Sequence, residues 1–295
     1  MKFSKMGRLS VALVTLSMIA APAWSASVKL RYSFDKGASY QVKQLHFDKG
    51  KSVTEMDMMG QKQKFDTPHE RTSSSSWIAR AVGRSKGGYK LSMSYGQRKG
   101  GERWGNPNES GASSATLFNT SKAEVIIDSL KGMVSLKTTP NDALTDVVYR
   151  SRFGWLPELP KKALKVGDGF EHDYTFKSKM MSSKRSDEYY LDEIADGMAY
   201  FSLESKEVVV INLQMPDMSQ MQGMQGMPPG MIPPQQPSKM TIIYKGDGNA
   251  IFDIKQGMFV EWEVKRAYKM PTSSMMGMTT TMQGVVRERW EMEKR

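Results

Sequence analysis

Residues 215–231 read Met-Pro-Asp-Met-Ser-Gln-Met-Gln-Gly-Met-Gln-Gly-Met-Pro-Pro-Gly-Met. Met215, Met218, Met221, Met224 and Met227 recur every third residue, and Met231 follows after a gap of four. Thioethers are neutral, soft ligands, and Cu(I) or Ag(I) accepts them without deprotonation. Proline and glycine exclude a helix here. In an extended polyproline-II segment three residues make one turn, so every third side chain lines one face. Such a comb could gather three or four sulfurs around one ion. Methionine is also flexible and adapts to many apolar partners, so the same comb suits a loop that contacts a partner. We take the second as the preferred reading and Cu(I) binding as the alternative. Methionines also group at Met56, Met58 and Met59, at Met180 and Met181, and at Met270, Met275, Met276, Met278 and Met282, several of them near predicted turns.

Other chemistry is sparse. Gly83-Arg84-Ser85-Lys86-Gly87 spells a serine-hydrolase nucleophile elbow, which requires a sharp strand-to-helix turn. Here an alternating strand follows, so the stretch reads as a hairpin turn. His46, His69 and His172 are the three histidines, and none forms a ligand pair. His172 falls on the apolar face of a strand over residues 170–176, as a hydrogen-bonded histidine in or near a core. Gly246-Asp247-Gly248 is too short to cradle phosphate and reads as turn material. Asp192, Glu193 and Asp196 read as a solvated strand end. The expectation is a protein that is not an enzyme, with no catalytic or cofactor-binding residue and no cofactor unless Cu(I).

The elements that must position these residues start with a leader. Lys2, Lys5 and Arg8 precede an apolar run over residues 9–21, and Ala21, Ala23, Ser25 and Ala26 follow. This is the pattern of a signal peptide over residues 1–26, cleaved after Ser25 or Ala26. The apolar run is too short to span a bilayer, no later run approaches that length, and no transmembrane segment is expected in the mature chain. There is no cysteine, which excludes disulfides, thiolate metal sites and a lipid anchor attached through cysteine. Without the leader, 39 basic residues stand against 31 acidic ones, a net charge of +8. These basic residues are scattered, so nucleic acid is not an expected partner. Localisation is expected to be periplasmic or secreted.

Period-two alternation dominates the rest, as in half-buried antiparallel strands. Val28, Leu30, Tyr32 and Phe34 share one face. So do Tyr89, Leu91, Met93 and Tyr95, then Val260, Trp262, Val264 and Tyr268, and finally Val286, Trp290 and Met292. Asp48-Lys49-Gly50, Lys86-Gly87-Gly88, Lys131-Gly132, Asp196-Gly197 and Gln256-Gly257 supply turn signals. The fold class is all-β, an antiparallel meander of hairpins in two halves with one short connecting helix near 140–153. That helix is capped at Thr139-Pro140, carries Leu144, Val147 and Val148, and stops at Gly154, Pro157 and Pro160. The halves are residues 27–138 and 164–295, joined by a helix and Pro-rich connector over 139–163. A short duplication supports the division: residues 34–40 and 164–170 share an apolar residue, a glycine three on and an aromatic three further. Residues 97–121 and the Met/Gln/Gly/Pro loop at 214–239 read as unstructured, the latter at a hairpin tip.

Three stretches occur in a familiar order: Leu30-Arg31-Tyr32-Ser33-Phe34-Asp35-Lys36-Gly37, then Leu159-Pro160 with Lys165-Val166-Gly167-Asp168-Gly169-Phe170, then Gly246-Asp247-Gly248-Asn249-Ala250-Ile251-Phe252-Asp253 with Gly257. The chain thereby resembles a family of exported bacterial β-rich proteins classed as a domain of unknown function. The resemblance implies a β-rich fold and export, and no activity. The functional expectation is a non-enzymatic binding or scaffold protein of the cell envelope, engaging a partner protein or an apolar ligand. The alternative is a Cu(I)/Ag(I)-binding protein using Met215, Met218, Met221, Met224 and Met227.

Overall fold

A computed structural model describes residues 27–58, 61–104, 113–118, 122–139, 156–177, 181–212, 239–270, 272–275 and 278–295. The alternation forms strands wherever a backbone edge finds a partner. In chain order these are β1 (Ser27–Val28), β2 (Ser39–Met58), β3 (Gln61–Ser85), β4 (Gly88–Trp104), β5 (Ser113–Phe118), β6 (Lys122–Asp128) and β7 (Gly132–Thr139). There follow β8 (Leu164–Lys165), β9 (Gly169–Lys177), β10 (Met181–Ala195), β11 (Met198–Asn212), β12 (Lys239–Asp253), β13 (Met258–Lys269), β14 (Ser273–Met275) and β15 (Met278–Lys294). The described residues contain no helix, and the expected helix near 140–153 lies outside them.

All but β1 and β8 belong to one antiparallel sheet, ordered β7-β6-β4-β3-β2-β15-β13-β12-β11-β10-β9, with β5 beside β4 and β14 beside β15. The sequence left open whether the two halves share a sheet. They do: β2 pairs β15 from Tyr40 opposite Lys294 to Met56 opposite Met278.

The halves are also copies of one plan. Gly37 and Gly167 both take positive φ (86° and 90°), where only glycine is unstrained. Gly37 N–H donates to Ala81 O and Gly167 N–H to Leu191 O; Ala81 and Leu191 return bonds to Ala38 and Asp168. A register shift follows each, at Ala81/Gly83 and at Leu191/Glu193. Further on, Ile126-Ile127-Asp128 and Ile251-Phe252-Asp253 each lead, through a turn, to a Gly-Met pair. Both of those glycines sit at φ 67°. The short duplication in the sequence is the visible end of a longer one.

The sheet is rolled so that its inner face meets itself. Trp262 Nε1–H on β13 donates to Tyr189 Oη on β10, 3.1 Å away. In a flat sheet, strands three apart lie about 14 Å from each other. One end, the base, holds the main core, with Trp262, Tyr189, Phe201, Phe252, Phe259, Leu91 and Met93 buried and Trp77 edge-on to Trp290 at 5.4 Å. Each such side chain contributes about 1.5–3 kcal/mol by leaving water.

Residues 29–35 alternate in burial as expected, with Leu30, Tyr32 and Phe34 buried, yet they are not a strand of the sheet. They cross the base as a plug, held by Tyr32 N–H to Ser129 O and Ser33 N–H to Gly257 O, both 2.9 Å. The alternation came from laying one face on the core and turning the other outward, not from pairing in a ladder.

Three further expectations change. Asp48-Lys49-Gly50 and Gly246-Asp247-Gly248 are not turns but the middles of β2 and β12. Parts of 97–121 are strands β4 and β5, paired from Gln97–Phe118 to Glu102–Ser113. The glycines at 50 and 284 face each other on β2 and β15 and make room. A Cβ at Gly50 would lie 2.7 Å from His69 Cε1, and one at Gly284 would lie 2.9 Å from the Tyr268 hydroxyl. His69 on β3 and Tyr268 on β13 reach each other across this gap at 2.9 Å. Gly284→Ala is therefore expected to push that contact apart and cost about 1–3 kcal/mol. A lower urea midpoint than wild type, with unchanged slope, is the measurement that checks it.

Candidate functional site

The end of the sheet opposite the base is a mouth, and the inner face between the two is layered. Above the main core lies a belt of polar and charged side chains. Arg266, 3 % exposed on β13, forms ion pairs with Glu207 on β11 and Glu288 on β15. It reaches β11 past Gly246, its register neighbour on β12, where a Cβ would collide with the backbone of Lys265 and Arg266 on β13, so a glycine stands mid-strand there. Ser183 Oγ–H donates to the other Glu207 oxygen at 2.5 Å, and His46 Nδ1 lies 3.5 Å from Glu288. Beside this clamp, Arg185 holds Asp187 through Nη2 at 2.7 Å, and Ser205 Oγ–H donates to Asp187 Oδ1 at 2.7 Å. The Arg185 guanidinium covers the Trp262 ring at 5.0 Å, tying the belt to the core beneath. On the other wall, Tyr268 Oη–H donates to Asp48 at 3.0 Å and accepts from His69 Nε2–H.

Burial opposes the charge on Glu288, but the Arg266 guanidinium and then His46 outweigh it and hold its carboxyl down at about 2. Burial, with Asp187 outweighing it, likewise leaves Arg185 firmly protonated. Tyr244 is pushed up to about 12 by burial and then by Glu207, so it stays neutral. His172, on β9 opposite Asp187, is pushed down to about 4 by burial and then by the charge of Arg185. It accepts a hydrogen bond from Glu158 N–H at 3.1 Å on Nδ1 and is a neutral ring near neutral pH, as its place on the strand face suggested.

Above the belt a second, smaller hydrophobic cluster forms around Ile242, Tyr268 and Val286, with Met240, Met270, Met282, Ile211 and Tyr244 packed against it. At this end methionines lie on the inner face of β2, β15, β12 and β10 and just past β13. Met56 stands opposite Met278, Met270 N–H donates to Met282 O at 2.7 Å, and Met181, Ile211 and Met240 form one cross-strand row. These methionines are only partly buried, whereas Met93, Met258 and Met292 at the base are buried. Groups that are scattered through the sequence thus come to one end of the sheet, where Met240, Met270 and Met282 share a cluster.

The insertion carrying Met215, Met218, Met221, Met224 and Met227 lies outside the described residues. Its flanks are strands as expected, and Asn212 pairs Lys239 at the mouth. Ser85 ends β3 at a hairpin, not at a strand-to-helix elbow. Among the described residues, no group of three or more His, Asp or Glu is placed to hold a metal.

The residues of the belt escaped sequence reading. Arg266 and Glu288 sit in phase with Val264 and Tyr268 and with Val286 and Trp290, and a charged residue at an inward position of a strand was the available signal. The duplicated half provides an internal control. Where the second half has Arg185 and Asp187, the first has Ser75 and Trp77, in the same hairpin with the same turns. At these two inward positions the plan of the fold therefore does not require a charged pair.

No family model matches the chain, and no curated protein matches it. An outer membrane channel from Pseudomonas putida F1 aligns over 89 % of this chain and 97 % of its own, at 8 % identity and a TM-score of 0.27. A mutant Rh. blastica porin aligns over 84 % and 99 %, at 10 % identity and a TM-score of 0.22. Neither likeness bears on what the chain binds.

The belt should be read out by acid. The folded Glu288 titrates below its unfolded value of about 4.3, so its contribution is full above that value and is lost as pH falls toward 2. His172 also titrates lower when folded, at about 4 against an unfolded value of about 6.5, so the unfolded chain binds the extra proton first and stability drops from about pH 6.5 to 4. Urea midpoints against pH should fall in both windows. His172→Gln is expected to flatten the upper window and Glu288→Gln the lower.

Proposed function

We propose that the chain is an exported, non-enzymatic binding protein of the cell envelope that takes an apolar ligand, or an apolar segment of a partner, into its methionine-lined mouth. The observation that carries this reading is the second hydrophobic cluster. It is divided from the main core by the charged belt, so it is not an extension of the core. Its methionines are flexible, polarizable and only partly buried, properties that suit a surface accommodating apolar shapes of varied outline.

The leader supports export. Charged side chains on the outer face, such as Glu261, Glu263, Arg287 and Arg289 with their cross-strand ion pairs, support a sheet standing in water. A lipid-facing barrel instead carries an apolar outer band. The alternative, Cu(I) or Ag(I) held by Met215, Met218, Met221, Met224 and Met227, is favoured by the pairing of Asn212 with Lys239, which anchors both ends of that insertion at the mouth.

An uncharged naphthylamine dye that brightens in apolar surroundings should bind the chain from residue 27 onward in a saturable way. Ile242→Lys should abolish that signal while leaving the circular dichroism spectrum unchanged. Native mass spectrometry of protein purified from its own envelope should show a retained apolar adduct. A clean apo mass together with dye binding indifferent to Ile242→Lys would overturn the proposal. For the alternative, a Cu(I) competition titration should weaken on replacing the five comb methionines with leucine; unchanged binding would sink it.

A further inference from the structure

The methionines of the sheet itself carry a second inference, independent of the insertion. Met240 is the second residue of β12, Met270 follows β13 and Met282 lies on β15, and the three are 30 and 12 residues apart in sequence. The fold brings them into one cluster. Lys269 is the register partner of Gln283, so Met270 falls opposite Met282, and its N–H bonds to the Met282 carbonyl at 2.7 Å. Ile243 is the partner of Lys269, which sets Met240 one diagonal step from Met270 on the same face. Directly opposite positions on paired strands have Cβ atoms about 5 Å apart, and diagonal ones lie at about 7–8 Å. An unbranched thioether side chain with three rotatable bonds spans such gaps toward a common point.

We propose that Met240, Met270 and Met282 form a three-thioether site for a soft monovalent cation, Cu(I) or Ag(I), on the inner wall of the mouth. Three features support it beyond proximity. The sulfur-bearing side chains are only partly buried, so an ion can reach them without unfolding the cluster. Their apolar neighbours, Ile242 and Val286, offer no competing donor, and the Tyr268 hydroxyl is committed to Asp48 and His69. The donor set selects the metal: neutral thioethers bind Cu(I) or Ag(I) and leave Zn(II), Mg(II) and Ca(II) in water. Binding needs no proton release and no redox step, because the ion arrives and stays monovalent.

Silver(I) is the air-stable probe. Titration calorimetry in chloride-free buffer would compare three forms of the chain from residue 27 onward: wild type, Met240→Leu/Met270→Leu/Met282→Leu, and a variant with Met215, Met218, Met221, Met224 and Met227 all changed to Leu. Leucine keeps the apolar volume and removes the sulfur. The triad variant should bind one fewer silver ion per chain, or bind it about tenfold or more weakly, a difference of about 1.4 kcal/mol or more. The comb variant should retain that ion. Circular dichroism is expected to be unchanged in the triad variant, which separates loss of the metal site from loss of the fold. Silver binding by the triad variant equal to wild type, loss of the ion in the comb variant alone, or no silver binding by wild type overturns the proposal.

Discussion

Arg266 is a full positive charge placed inside a rolled sheet, and much of the inner face is arranged to keep it paired. Taking such a charge out of water costs several kcal/mol unless its partners are close and themselves held. Glu207 meets it from β11, across β12, and Glu288 from the adjacent β15, and each carboxylate has a further neighbour, Ser183 for one and His46 for the other. The glycine at 246, between the two strands, answers a separate demand, since a Cβ there would collide with the backbone of Lys265 and Arg266. The belt thus divides the inner face into two apolar regions that do not merge.

The two regions are built from different residues because they meet different surroundings. The base is closed by the plug of residues 29–35 and by residues 156–159, and it is packed with aromatic and branched side chains. Aromatic edges and faces are matched there, as in Phe252 against Phe259 at 5.0 Å and Phe170 stacked on Tyr189 at 4.8 Å. Such packing holds a single arrangement. The mouth uses methionine where the base uses phenylalanine and tryptophan, which gives a surface that can change shape at little cost. A rigid end and an adaptable end, separated by a charged layer, form a physical plan for a binding protein.

Much of the fold was legible in the residues. Alternation around Leu91, Trp262 and Trp290, with glycine-bearing turns at 86–88, 131–132, 196–197 and 256–257, gave antiparallel hairpins without further help. Glycine misled where it stood for space and not for a turn, at Gly50 and at 246–248, because both uses look alike in one dimension. Alternation misled at 29–35, since an extended segment that lays one face on a core shows the same period as a paired strand. The duplication showed only at 34–40 and 164–170, because the rest of it survives in backbone bonds and register shifts that many side chains satisfy.

By itself the sequence determined the strand periodicity, the absence of thiol chemistry and the presence of methionine clusters, since composition and local spacing are all that those properties need. Tertiary structure alone decided where the clusters meet, which charges turn inward and which halves repeat. The reason is the roll of the sheet: residues separated by more than 200 positions, such as Asp48 and Tyr268, become hydrogen-bond partners, and no local pattern encodes that closure.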